Sequence, residues 1–477
     1  MKILLVIPSV DNGYWKKLGK KVGPRSEPLS LLYIATYLNQ NGHKAEVVDC
    51  EAEGVSLENL EEKIKVGNYD CVGVAMLTPL YSQAVNICKL VKKINSNIKT
   101  IVGGSHPTLR SKGTVDDEES IDVAAIGEAE LTFLDLLDAF EGKKELKDVD
   151  GIVFRIGKEV IQNKERQKIQ DLDLLPIPDR SLINMSLYRP SVSYYRRLPA
   201  YTIITTRGCP YRCTFCATAK TGYRMHSVER VVAEMKMLVE DYGAKEILIR
   251  DDTFTLNRQR TVDLCNAIIE RGLNKKISWD GITRANLVDK ELLIKMKQAG
   301  CWGMHFGVEG GTQKLIDGIK KDTTLDAIEN AFRLCREVGI NTRAYMMLGM
   351  PGSTKEDDMA TIEFAKKIDP DWAQFTICTP YPGTQMYDEQ VKVGNVSSDW
   401  DTFQTWGGFS ETDLPWVADG RTSDEVKEMQ RHALKSFYFR PKVIVRKMTN
   451  IDNLPILRKY VLGAMALATG GSGRAPE

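Results

Sequence analysis

Arg207-Gly208-Cys209-Pro210-Tyr211-Arg212-Cys213-Thr214-Phe215-Cys216 carries three cysteines within eight residues, directly behind the strand-like run 202–206. The thiols therefore belong to a loop at the carboxyl end of a strand, the end at which α/β barrels carry their chemistry. Spaced this closely, three thiolates can wrap one metal centre. A structural zinc site is closed and tetrahedral and needs a fourth Cys or His. His226, ten residues further on at the start of a helix, is the only candidate nearby and fits poorly. Thiolates suit iron–sulfur clusters as well as zinc. Three of them on a four-iron cluster leave one iron open to a substrate or cofactor.

Outward from this loop the pattern is a repeated strand and helix. Strands are expected at 202–206, 246–250, 277–282, 304–308, 343–348 and 372–377, with helices between them such as 227–242 and 325–338. Six such units fall two short of the eight-fold barrel, so a partial (β/α)6 barrel over 200–393 is the expected architecture. Upstream, residues 1–145 alternate in the same way. Strands are expected at 2–10, 44–50, 71–77, 100–102 and 123–126, with helices at 28–41, 57–66, 81–94 and 128–140. This is the rhythm of a doubly wound, Rossmann-like or flavodoxin-like α/β sheet, which binds ligands beyond the carboxyl ends of its strands. Between the two, 146–199 reads as a hairpin turning at Gly157 followed by the extended linker Leu175-Pro176-Ile177-Pro178. The region 394–477 is expected to be small and mainly helical. It contains Trp400, Phe403, Trp406 and Phe409, a basic segment at 435–459 and a Gly-rich, disordered tail at 469–477.

The gross numbers exclude several classes. Lys plus Arg total 65 against 64 Asp plus Glu in 477 residues, so the basic excess of a nucleic-acid binder is absent. The apolar run 1–6 is too short for a secretory leader, and no run approaches a membrane span. A cytoplasmic location is the default. Cys50, Cys71, Cys88, Cys265 and Cys335 fall within expected strands or helices and read as small buried hydrophobes.

The Cys-x3-Cys-x2-Cys spacing, with the aromatic Phe215 just before the last cysteine, resembles the radical S-adenosylmethionine (SAM) superfamily. The resemblance implies a 4Fe–4S cluster on Cys209, Cys213 and Cys216, with SAM chelated to its open iron. One electron from the cluster would then cleave the sulfonium to a 5′-deoxyadenosyl radical. It also implies roles at successive strand ends. Asp252, in Asp251-Asp252-Thr253-Phe254-Thr255, would lie near the methionine amino group. Glu309, in Gly307-Val308-Glu309-Gly310-Gly311, would contact the ribose. Gly349, in Gly349-Met350-Pro351-Gly352, would approach the adenine or methionine with its backbone. Taken singly, a carboxylate after a strand is also a helix cap, and Gly-Pro-Gly is also a plain turn.

The first domain resembles the cobalamin-binding domain that precedes this barrel in one large subfamily. The likeness runs through Pro28-Leu29-Ser30, Gly42-His43, Val48-Asp49, Val102-Gly103-Gly104-Ser105-His106-Pro107-Thr108, Gly127-Glu128-Ala129-Glu130 and the linker Leu175-Pro176-Ile177-Pro178-Asp179, and covers residues 1–390. It implies cobalamin as a third cofactor. Gly103 and Gly104 would let backbone approach a bulky ligand, Thr78 and Ser105 would offer hydroxyls to its nucleotide tail, and Glu128 belongs to the same set of loops. The Asp-x-His-x-x-Gly motif of cobalamin domains that ligate cobalt from below is missing, because the matching loop reads Val10-Asp11-Asn12-Gly13-Tyr14-Trp15-Lys16.

Together these features imply C-methylation of an unactivated carbon, with radical oxidation, ring closure or C–C coupling as alternatives. A non-catalytic cobalamin sensor and a zinc-stabilised scaffold are the competing classes. An external electron donor of the flavodoxin or ferredoxin type is implied as a partner. Lys435, Arg440, Lys442, Arg446, Lys447, Arg458 and Lys459 are interleaved with Phe437, Tyr438, Phe439, Val443, Ile444, Val445 and Leu457. That pattern suggests peripheral membrane contact and a hydrophobic small-molecule substrate: a lipid, an isoprenoid or a tetrapyrrole. Tyr194, Tyr195 and Tyr381 are expected to line the cavity.

Overall fold

Cys71–Ala75 reads Cys-Val-Gly-Val-Ala, with no polar side chain to turn towards water, and such a run belongs in a sheet covered on both faces. In the computed structural model, which describes residues 1–9, 25–191, 193–394, 396–403 and 413–449, that is where it lies. It forms β3, flanked in parallel by β1 (Lys2–Ile7) and β4 (Lys99–Gly103). With β2 (Lys44–Asp49), β5 (Val123–Ala125), β6 (Ile152–Ile156) and β7 (Glu159–Gln162), the sheet order is β2-β1-β3-β4-β5-β6-β7. The first five strands follow the flavodoxin-like order. The expected hairpin at Gly157 extends the same sheet, antiparallel to β5. Leu4, Val6, Val72, Val74 and Val102 on one face bury against Ile87, Cys88 and Val91 of the helix Tyr81–Ile94. Each such aliphatic side chain contributes about 1.5–3 kcal/mol.

The described residues form two compact units: those of Met1–Arg189, Tyr381–Lys392 and Ser398–Gln404, and those of Pro190–Pro380, Val393–Ser397 and Thr405–Glu477. In the first unit, the residues that follow the barrel in sequence pack on the α/β sheet's own helices. A Cβ on Gly383 would lie 2.7 Å from that of Leu109, so the two backbones touch closely.

In the second unit six parallel strands stand side by side in chain order. They are β8 (Ala200–Ile203), β11 (Glu246–Ile249), β12 (Ser278–Thr283), β13 (Cys301–Glu309), β14 (Asn341–Leu348) and β15 (Trp372–Ile377). This is the expected partial barrel. Between β8 and β11 the two-residue strands β9 (Thr206–Arg207) and β10 (Arg224–Met225) pair antiparallel. The outer helices open on side-chain caps: Ser227, Asn257, Asp289, Thr324 and Thr354 each accept a backbone N–H of the first turn.

The helices Ser423–Tyr438 and Pro441–Thr449 follow. Phe437 and Val443 are buried, and the Tyr438 hydroxyl donates to the carbonyl of Ala373 at 2.7 Å. Arg440, Lys442 and Arg446 converge on Asp369 at 3.3, 2.8 and 3.2 Å, which ties this part of the basic segment to the barrel, while Ile444 and Val445 stay exposed. Trp406, Phe409, the Lys447 side chain, Leu457, Arg458, Lys459, the tail and the loop 10–16 lie outside the described residues. Among the described residues no helix is long and apolar enough to cross a membrane.

The end of β13 depends on a missing side chain. A Cβ on Gly311 would stand 2.4 Å from the carbonyl oxygen of Ala360 and 2.5 Å from the Cα of Thr361, both backbone of the helix Lys355–Ile368. Gly311→Ala is therefore expected to destabilise the chain by about 1–3 kcal/mol. Gly318→Ala, where nothing lies within 4 Å, should be near neutral. Equal melting temperatures for the two variants would contradict this packing.

Candidate cluster and cofactor site

The cysteine loop is held by its stem before any metal is considered. Asp251, at the end of β11, is 1% exposed and accepts the backbone N–H groups of Thr205 (2.6 Å) and Thr206 (3.1 Å) and the Thr205 hydroxyl (2.5 Å). Arg260 donates to the carbonyl oxygens of Thr205 and His226 at 3.0 and 3.1 Å. The β9–β10 ladder then closes the base of the loop. Inside it, Cys209 N–H donates to the Thr221 hydroxyl (3.1 Å), and Lys220 N–H to the carbonyl of Tyr211 (2.8 Å). Gly208 has φ +86, and a Cβ there would stand 2.5 Å from the carbonyl oxygen of Gly222. Only glycine fits that position.

Each of the three sulfurs has its own polar neighbour. The Thr253 hydroxyl lies 3.5 Å from Cys209 Sγ, the Thr218 hydroxyl 3.3 Å from Cys216 Sγ, and Arg284 Nη1 donates to Cys213 Sγ at 3.4 Å. Cys209 and Cys213 are buried, Cys216 is half-buried, and Phe215 between the last two is also half-buried. Among the described residues no three His, Cys, Asp or Glu side chains come together to hold a single metal ion. Three thiols on one loop are the donor set of a four-iron cluster with one open iron, whereas a closed zinc site takes four ligands. All ten cysteines are unbridged. Burial pushes the thiols of Cys50, Cys88, Cys265 and Cys335 up to about 12, as expected of inert core residues.

The three strand-end residues fall where the sequence order puts them. Asp252 is exposed beside the cysteine loop, and its carboxylate accepts Gly208 N–H at 3.1 Å. Glu309 is buried at φ +67, a left-handed conformation costly for a residue with a Cβ, and Lys321 Nζ lies 3.0 Å from its carboxylate. Gly349 has φ +69, and its N–H donates to Asp358 Oδ1 at 2.9 Å. Arg421 binds the other oxygen of Asp358 at 3.1 Å, and Val426 fills the space a Gly349 side chain would need. Deeper in the barrel Asp280 takes Arg250 (2.7 Å) and His305 (3.1 Å). Tyr345 lies 3.3 Å from His305 Nδ1 and 3.4 Å from the Tyr194 hydroxyl. Of the three expected cavity tyrosines, Tyr194 thus belongs to this interior cluster and Tyr195 is buried, whereas Tyr381 packs on Phe403 in the first unit.

In the first unit Gly104 has φ +121, and a Cβ there would meet the carbonyl oxygen of Met76 at 2.8 Å; Gly103 has open space. Ser105 is exposed at the start of the helix Ser105–Asp116, and Glu128 is half-buried. The Thr108 hydroxyl accepts Gly127 N–H at 3.0 Å, which ties this helix to the loop after β5. Thr78 is 2% exposed, with its hydroxyl 3.1 Å from His106 Nδ1. His106 is fully buried, 4.9 Å from the Tyr81 ring and 5.0 Å from that of Trp400, over which the Arg110 guanidinium sits at 4.8 Å.

Two family models match the chain, the radical SAM superfamily over residues 203–365 and the B12 binding domain over residues 15–137. An uncharacterized methyltransferase of Pyrococcus horikoshii is 33% identical over 94% of this chain and 94% of its own length. The chain belongs to the cobalamin-binding radical SAM enzymes. The cofactor set of this radical SAM family is a 4Fe–4S cluster, SAM and cobalamin. An anaerobic magnesium-protoporphyrin IX monomethyl ester cyclase of Cereibacter sphaeroides is 30% identical over 83% of this chain and 65% of its own. In fold, the radical SAM enzyme is similar to a methyltransferase of Kitasatospora setae solved with cobalamin and a 4Fe–4S cluster bound. The TM-score is 0.70 at 21% identity, over 90% of this chain and 85% of that one.

Arg284, Asp358, Arg421 and His305 escaped the sequence reading. Arg284 alone left a signal, a basic residue directly after a strand of the repeat, as Gly349 directly follows its own.

Burial pushes the His106 imidazole down to about 4, so at neutral pH it is uncharged. The folded state therefore binds fewer protons than the unfolded state between pH 4 and the ordinary value of 6.5. Stability from this residue is complete above pH 6.5 and is lost as the pH falls towards 4. Thermal unfolding of the full chain across this range should show the loss, and His106→Gln should flatten it. An unchanged slope in the variant would contradict the assignment.

Proposed function

We propose that this radical SAM enzyme methylates an unactivated carbon of a hydrophobic small molecule, with Cys209, Cys213 and Cys216 as ligands of a 4Fe–4S cluster. When bound, the cluster with SAM supplies a carbon-centred radical, and cobalamin supplies the methyl group. The chain's residues hold these groups. Asp251 fixes the stem of the cysteine loop, and Asp252 beside it is assigned to the methionine amino group. Glu309, kept in its strained conformation next to Lys321, is assigned to the ribose. Gly349, pinned through Asp358, presents backbone where a side chain would collide with Val426. On the cobalamin side, Gly103, Gly104, Ser105 and Glu128 offer backbone and exposed polar atoms. Thr78 is a supporting residue, because its hydroxyl already faces His106. A one-electron donor of the flavodoxin or ferredoxin type completes the reading.

The observation that carries it is the three-thiol loop at the carboxyl end of a barrel strand, whose sulfurs each take a separate polar neighbour. The full-length similarity to a methyltransferase supports methylation. The lipid, isoprenoid or tetrapyrrole class of substrate draws on the cyclase relative, whose name specifies a tetrapyrrole. The same relative favours a second reading, radical oxidation with ring closure.

Anaerobic reconstitution should give about four irons per chain and reductive cleavage of SAM. Cys213→Ala should lose both while still binding cobalamin. With methyl-labelled SAM and cell extract, label should enter an organic-soluble product. Cleavage without label transfer would favour the oxidative reading, and wild-type protein that takes up zinc and no iron would overturn both.

A further inference from the structure

Arg284 follows β12 directly and is 6% exposed, although it carries a permanent charge. Its partners explain how it is kept there. Nη1 donates to Cys213 Sγ at 3.4 Å, and Nη2 donates to the carbonyl oxygen of Asp322 at 3.5 Å. The flat guanidinium stacks 3.7 Å over the ring of Tyr211. Tyr211 lies between Cys209 and Cys213 in sequence, so the cysteine loop itself supplies the platform that aims the cation at one of its own sulfurs. The neighbours of the other two sulfurs are hydroxyls, which can donate or accept. A guanidinium can only donate and cannot lose its charge.

We propose that Arg284 is a positioning residue that sets the reduction potential of the cluster by donating a charge-assisted hydrogen bond to Cys213. The proposal rests on the reading of the three cysteines as cluster ligands. Taking up one electron from an external one-electron donor adds one negative charge, shared over the irons and sulfurs. A fixed cation against one of those sulfurs stabilises the reduced form more than the oxidised form and so raises the potential. Burial strengthens the effect, because little water is present to screen it. Cys213 is itself buried, whereas Cys216 is half-buried.

The test is an EPR-monitored redox titration of the anaerobically reconstituted full chain, with iron content measured on the same samples. Dithionite serves as the reductant. Arg284→Met keeps the length and removes the charge. At the wild-type midpoint its ratio of reduced to oxidised cluster should fall about tenfold, a shift of about 59 mV for one electron. Arg284→Lys should recover part of that fall. Tyr211→Leu, which keeps the cation but removes its platform, should fall in between. Arg284→Met with full iron and a ratio within about twofold of wild type would overturn the proposal. It would also be overturned if Met, Lys and Gln variants at Arg284 all lost their iron, since the residue would then serve cluster assembly. Wild-type protein without iron would instead sink the cluster reading beneath it.

Discussion

The carboxylate of Asp251 is the point on which the rest of the catalytic unit depends. It is buried at the end of one strand, and its oxygens are satisfied by two backbone amides and a hydroxyl from the end of the neighbouring strand. A buried carboxylate without such donors is costly, so the two strand ends are joined as a unit. The cysteine loop grows from that joint. Its stem ladder, its glycine at positive φ and its internal hydrogen bonds define its shape.

The same arrangement repeats along the sheet. Each of these strand ends carries one residue held by a second: Asp252 with the Gly208 amide, Glu309 with Lys321, Gly349 with Asp358 and Arg421. Arg421 and Val426 come from the C-terminal helical region, which is therefore part of how the Gly349 turn is held rather than an appendage. Arg284 uses the same economy, with the loop it touches supplying the ring that orients it.

The alternating strands and helices, the hairpin turn at Gly157 and the three-cysteine loop were all legible in the sequence, because each rests on local periodicity or spacing. The helix Ser105–Asp116 was not: Pro107, Gly113, a polar composition and a non-helical Ser111 hide its period. Nor did local signals reveal that the hairpin would extend the first sheet, or that residues following the barrel would pack beside His106. Both are contacts between segments far apart in the chain. Thr78 shows the limit for single residues. Its place after a strand suggested a hydroxyl facing ligand, and no local signal names the histidine 28 residues away that lies 3.1 Å from that hydroxyl. Arg284 meets Cys213 across 71 residues, a pairing between the ends of two strands that β11 separates in the sheet.

On the proposed reading three cysteines hold the cluster and leave one iron free. Mössbauer spectra of the anaerobically reconstituted chain, recorded without and with SAM, test that arrangement most directly. The account predicts a four-iron cluster in which SAM changes the signal of one iron and leaves the other three alone. A spectrum indifferent to SAM, or one with all the irons equivalent in both states, would contradict it.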